Sequence, residues 1–342
     1  MTKRYLGNII TQNPTAPAGP YENDAAPGVW SLAEAFAYSK AGLWPTAGNA
    51  IIGLFAGGLT AGGSSSATNV IDFIKFSSAG NATDFGDLTV ARYELGGGSG
   101  GSSTRGLFFG GENASGTKVN VVDYITFASA GNATDFGNLT GNRTRSGVCS
   151  SDTRALSAGG ADAISIDYFT IASAGNGADF GDLNGVSQTT GLSGLASPTR
   201  GVFGSVANGN GNAISYVAIA STGNASDFGD LLSSAQKHGS GSNTTRGIFT
   251  GGSTSNVIQY ITIASTGNAS DFGDLTTASE QNIGVTGATK MVISLASDGS
   301  SKLNTLDQIT ISSTGNATDF GDLSVTRNNA GGTCNGHGGL AA

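Results

Sequence analysis

"GNATDFGDL", Gly80 to Leu88, occurs with small changes six times in this chain of 342 residues. Near-copies begin at Gly131 ("GNATDFGNL"), Gly175 ("GNGADFGDL"), Gly223 and Gly267 (both "GNASDFGDL") and Gly315 ("GNATDFGDL"). Starts spaced 44 to 51 residues apart mark a repeat architecture, in which each unit buries its apolar face against its neighbours. The six motifs define copies 1 to 6.

Between the first two motifs lie "TVARYELGGGSG" (89–100), "TRGLFFGG" (104–111) and "NVVDYITFAS" (120–129), followed by "ATDFGNL" (133–139). Short apolar segments separated by Gly, Ser and Asn predict four β-strands per repeat. The third segment recurs as "NVIDFIKFSS" (69–78), "ISIDYFTIAS" (164–173), "AISYVAIAS" (213–221), "NVIQYITIAS" (256–265) and "LDQITISS" (306–313). Apolar residues at both parities predict strands buried on both faces. Low complexity is the rival reading of so much Gly, Ser and Asn. It fails because the apolar runs return in register with every motif.

Four antiparallel strands buried on both faces are what a β-propeller blade requires, since each blade is sandwiched between two others. The expected fold is therefore all-β: a six-bladed propeller over residues 49–342, preceded by an N-terminal arm with a short helix over 1–48. Closure is written in the order of segments. "IIGLFAGG" (51–58) has no ordinary first strand before it, and the chain ends in "SVTRNNAGGTCNGHGGLAA", which aligns with a first strand. Residues from about Val325 to Asn335 are expected to pair beside Ile51 to Gly58.

Charged residues are 12% of the chain and the net charge is −8, against the basic surface that nucleic-acid binding needs. Two cysteines, Cys149 and Cys334, lie in different repeats and predict reduced thiols rather than a disulfide framework. The start "MTKRYLGNIITQ" has no apolar core of a signal peptide and no stretch approaches 18 apolar residues, so neither signal-directed secretion nor a membrane span is expected.

Two resemblances stand on particular residues. A double Gly closes the second strand at Gly57–Gly58, Gly110–Gly111, Gly159–Gly160 and Gly251–Gly252. An aromatic stands seven residues before the Gly-Asn turn at Phe73, Tyr124, Tyr168, Tyr216 and Tyr260, and another aromatic follows in the fourth strand. The pattern resembles the kelch motif over most of residues 50–342. It departs where Phe85, Phe136, Phe180, Phe228, Phe272 and Phe320 stand at the usual Trp position. "GVFGSV" and "VISLAS" replace the double Gly in two repeats, and Gln308 replaces the Tyr in the last. The second resemblance is "GVWSLAEAFAYSKAGLWP" (28–45), similar to a segment of structural and tail proteins of tailed bacteriophages, particularly marine ones. Physically it predicts one short helix, with Ser31 and Glu34 as a capping box, Gly42 ending it and Pro45 preventing continuation. Trp30, Leu32, Phe36, Leu43 and Trp44 give it an apolar surface suited to attachment.

Candidate site residues divide by how often they recur. The paired acids Asp84/Asp87, Asp179/Asp182, Asp227/Asp230, Asp271/Asp274 and Asp319/Asp322 return in every copy but the second, where Asn138 stands. Recurrence in nearly every unit points to packing, with the six phenylalanines filling gaps between blades and the acids accepting backbone hydrogen bonds. Calcium is the alternative, against which the ligand spacing is sparse. Arg105, Arg154, Arg200, Arg246 and Lys290 precede the second strand and form a basic ring, which either holds an anionic ligand or pairs with the repeated aspartates. Five turns carry N-x-S/T, as at Asn81 and Asn132, read as Asx-turns rather than glycan acceptors. His238 and His337 lack metal-ligand spacing, and no nucleophile, P-loop or zinc-protease motif is present. No enzyme, metal or cofactor is expected.

The functional expectation is a phage virion protein, a tail or tail-fibre component present in several copies per particle. Its N-terminal arm holds other virion proteins, and its propeller recognises a host-surface molecule such as a glycan. The alternative is a purely structural virion protein, a capsid decoration or tail adaptor. Loops between the second and third strands ("LTAGGSSSAT", "ENASGTKV", "ANGNGNA", "STS") vary while the opposite turns barely change, which favours recognition.

Overall fold

The computed structural model describes residues 51–340, apart from 161–162, 185–190, 206–210 and 235, together with Ala33. The chain divides into two compact units, Met1–Ile51 and Ile52–Ala342. Of the first unit only Ala33 (helical and exposed) and Ile51 are described, so the five attachment residues lie outside the described residues.

The second unit is all-β. Copy 1 is a four-stranded sheet in the order Gly331–Cys334, Ile52–Ala56, Val70–Lys75, Thr83–Asp87. The strand near the C-terminus thus pairs antiparallel with Ile52–Ala56, with Gly53 opposite Cys334 and Ala56 opposite Gly331. Copies 2, 5 and 6 repeat the order; copies 3 and 4 are merged into one curled nine-stranded sheet. The join is Gly97–Gly98, which pairs parallel with Gly147 on one side and with Ser193–Gly194 on the other.

That join departs from the expected first strand of copy 2. "TVARYELGGGSG" breaks into Arg92–Tyr93, which pairs with Glu112–Asn113, then Gly97–Gly98 and Gly100–Gly101. Glycine is required at 98, where φ is +114° and a Cβ would meet the carbonyl oxygens of Val148 and Gly194 at 2.0 and 2.3 Å. Only a chain without side chains threads so closely between two strands.

The third strands have interior faces on both sides, as in Val121–Thr126, where Val122, Asp123 and Ile125 are buried. Tyr124 stacks edge-on to Phe136 at 5.8 Å, and equivalent pairs are Phe73–Phe85, Tyr168–Phe180, Tyr216–Phe228 and Tyr260–Phe272. All six motif phenylalanines are at most 4% exposed, and burying each stabilises the unit by about 2–3 kcal/mol. The double glycines end the second strand with positive φ, +67° and +103° at Gly57 and Gly58. In copy 4 Ser205 takes the first of these positions at φ +64°.

The repeated motif bonds to itself between copies. The Gly131 N–H donates to the Phe85 carbonyl (2.8 Å), the Ala133 N–H to the Asp87 carbonyl (2.7 Å), and Asn132 Oδ1 accepts the Asp87 N–H (3.1 Å). Each later copy binds its predecessor in this way, and the first copy binds the last: Gly80 N–H to Phe320 O (2.7 Å), Ala82 N–H to Asp322 O (2.7 Å), Asp322 N–H to Asn81 Oδ1 (3.1 Å). The asparagines therefore serve the neighbouring copy. The expected Asx-turn role is replaced by this cross-copy bond.

Candidate functional site

Strand direction alternates, so the connectors entering each innermost strand and the variable loops leave the sheets at one end. The pairing of Arg92–Tyr93 with Glu112–Asn113, and the bridge from Leu59 to Asn328, join these two kinds of segment. The connectors are anchored inside. Arg92 is fully buried and donates to Asp123 (3.0 Å) and to the carbonyls of Gly110 (3.1 Å), Val121 (2.7 Å) and Phe108 (3.3 Å). Thr89 donates its N–H (3.1 Å) and hydroxyl (2.6 Å) to the same carboxylate. Arg143–Asp167 and Arg327–Asp72, both at 2.6 Å, are the equivalent pairs. These ion pairs were not foreseen, although a lone Asp inside an otherwise apolar strand was the available signal.

At this end the innermost strands begin with six residues in left-handed backbone: Glu94, Arg145, Gly191, Lys237, Gln281 and Asn329, with φ between +55° and +71°. They rim a pocket of about 30 Å³, space for about one water molecule. Glu94 and Arg145 pair across the rim, and burial raises the Glu94 carboxyl against the pull of Arg145. Below the pocket the space between the first strands is filled rather than open. Gly97–Gly98 lies between the inner strands, Thr333 Oγ1 donates to the Gly100 carbonyl (2.7 Å), and the Gly338 N–H donates to the Ser242 carbonyl (2.9 Å) at the far end.

The far end also holds a Ser–His contact, Ser150 Oγ to His337 Nε2 at 3.3 Å. It is not a nucleophile and its base. His337 Nδ1 accepts the Gly339 N–H (3.2 Å), which puts the proton of the neutral ring on Nε2, beside the Gly101 carbonyl (3.2 Å). Burial lowers the imidazole to about 4, so the ring is neutral at pH 7 with no basic nitrogen facing Ser150. Ser150 itself is fully buried and donates to the Gly101 carbonyl (2.7 Å).

The five basic residues occupy equivalent places at this same end, where their contacts are with rings, backbone carbonyls and one amide rather than with the repeated aspartates. Arg105 lies over Tyr124 (5.1 Å) and donates to the carbonyls of Ile171 and Ala172 in the next copy, both at 3.0 Å. Arg154 lies over Tyr168 (4.7 Å) and reaches Ile219 and Ala220; Arg200 lies over Tyr216 and reaches Ile263; Arg246 lies over Tyr260 and reaches Ile311. Lys290, with Gln308 where the others have Tyr, donates to the Gln308 amide oxygen (3.3 Å). Each arginine stacks within its own copy and bonds backbone in the next, so the pairing with repeated aspartates is replaced by carbonyl and ring contacts.

The paired acids lie on the fourth strands, exposed or half-exposed. Among the described residues, the one motif acid whose side chain accepts a backbone N–H within the motif is Asp135 of copy 2, from Gly137 (3.2 Å). Among the described residues no group of three or more His, Cys, Asp or Glu is placed to hold a metal ion. Cys149 and Cys334 are buried free thiols. Against known proteins, the chain matches no family model and no curated protein sequence.

Proposed function

We propose that residues 49–342 are a closed six-bladed propeller of kelch-like type, displayed on a phage particle as a tail or tail-fibre component and held there by residues 1–48. Closure is supported by one observation above all, the bonding of copy 1 to copy 6 through Gly80 and Phe320 with the same geometry as every other link. A recognition role at the variable-loop end is supported by the apolar side chains left exposed on its connectors, Val90, Leu232 and Val325, at 42, 51 and 39%. Apolar tips beside loops of differing length on a rigid scaffold suit contact with another molecule.

The experiment is mass spectrometry and antibody labelling of purified particles of the encoding phage, with binding of the fluorescent full chain to host cells. Labelling at the tail with saturable host binding is expected. Absence from particles overturns the virion reading. Particle labelling without host binding favours the adaptor role instead.

A further inference from the structure

The turn between the first and second strands carries Ser103, Asp152, Pro198, Thr244 and Ala288 at one equivalent exposed position in copies 2 to 6. Copy 3 alone has a charge there. A device for packing recurs in every copy, whereas a binding feature needs to be made only once.

Asp152 is fixed from outside its own turn. Its Oδ1 accepts the N–H of Ser103 in copy 2 (3.1 Å), and among the described residues Oδ2 has no hydrogen-bond partner. Two residues on, Arg154 spends Nη1 on the carbonyls of Ile219 (2.9 Å) and Ala220 (3.0 Å), and one face of the guanidinium on Tyr168. Its Nε and Nη2 have no partner among the described residues. Acid and base stand two residues apart, at the end of the turn and the start of the strand Arg154–Ala158, without forming an ion pair, and both line a pocket of about 350 Å³ together with Pro198 and Ala220 of copy 4. That volume is within the range of small-ligand sites.

We propose that this pocket is a saccharide site that takes one pyranose ring. Asp152 Oδ2 accepts from one hydroxyl, Arg154 donates to the adjacent oxygen, and Pro198 with Ala220 meets an apolar edge of the ring. A hydroxyl is donor and acceptor at once, so neighbouring hydroxyls satisfy a carboxylate and a guanidinium together. An anion would face Asp152 and a simple cation would face Arg154, so the opposed charges favour a neutral ligand. The site lies at the end of the sheets opposite the variable loops and does not depend on the virion reading.

The test is saturation-transfer NMR of the full chain with the methyl glycosides of glucose, galactose, mannose and N-acetylglucosamine, with glycine as competitor. Millimolar binding of at least one glycoside is expected, weakened about tenfold by Asp152→Ser, the loss of one hydrogen bond to a charged group. Asp152→Ser installs the residue found at 103 and should leave the melting temperature unchanged. Silence from all four glycosides, equal binding by Asp152→Ser, or displacement by glycine, which would mark a zwitterion pocket, each overturns the proposal.

Discussion

The carbonyl oxygen of Gly131 lies where a side chain on Gly86 would be: a Cβ built on Gly86 meets it at 2.4 Å, and Gly86 holds φ at +148°. Gly137 and Gly175, Gly181 and Gly223, Gly229 and Gly267, Gly273 and Gly315, and Gly321 and Gly80 repeat the approach at 2.3 to 2.5 Å. The two glycines of one contact differ, because a Cβ on Gly131 meets nothing within 4 Å. Gly86→Ala should destabilise by about 2–4 kcal/mol through backbone strain and displacement of the neighbouring copy, and Gly131→Ala by less than about 1 kcal/mol. Urea melts of the full chain decide it; equal losses would mean that the close approach is not what fixes Gly86.

Asp307 is the exception among the buried third-strand acids. It is fully buried and accepts from Thr276 N–H (2.8 Å) and hydroxyl (2.7 Å), but Ser279 stands where its siblings have arginine. Burial pushes its carboxyl up, and Asp319 adds to the rise. With a raised folded value, its contribution to stability is full below the ordinary Asp range near pH ~4 and is lost as pH climbs through the raised value. Asp307→Asn accepts the Thr276 N–H through Oδ1 and donates from Nδ2 to the Thr276 hydroxyl, so it should gain roughly 1–2 kcal/mol at pH 7 and nothing at pH ~3. Stability curves at several pH values check this, and a parallel offset at every pH would refute it.

Where the arginine is present, removing one partner is costly. Asp123→Ala leaves Arg92 buried and uncompensated and should cost about 3–5 kcal/mol, whereas Arg145→Gln, in the half-exposed rim pair, should cost under about 1 kcal/mol. Thermal melts of the two variants give the comparison. Similar small losses would show that water reaches Arg92.

Burial pushes the thiols of Cys149 and Cys334 up, and the thiolate is the reactive form. A thiol reagent at pH 8 should titrate neither in the folded protein and both in guanidinium. Fast reaction of one thiol without denaturant would mean that the adjoining strand opens locally.

The period, the four strand segments and the buried phenylalanines could be read from residues because they are local patterns of turn chemistry and apolar alternation. The partners were hidden because they sit about one repeat away. Nothing in "GNATDFGDL" alone says that its glycine bonds the phenylalanine of the previous copy. A subtler signal was available. Arg92, Arg143 and Arg327 each follow a motif leucine by four residues, and the next third strand then carries Asp123, Asp167 or Asp72. Ser215 and Gln259 stand at that place where the connector lacks arginine. One chain thus contains its own pairwise covariation, broken only at Ser279 and Asp307. Asp152 is hidden for the opposite reason: it occurs once and stands outside the recurring pattern.

Pairing of Gly331–Cys334 with Ile52–Ala56 has a consequence for biosynthesis. Residues 52–87 are made before copies 2 to 6, yet their sheet is completed by Gly331–Cys334, which are made after all of them. Copies 2 to 6 each hold all four strands within one stretch of chain and can dock in order as they emerge. The earliest copy must wait with one edge of Ile52–Ala56 unpaired. Until Gly331–Cys334 have been made, that apolar edge is open to pairing with a neighbour's strand.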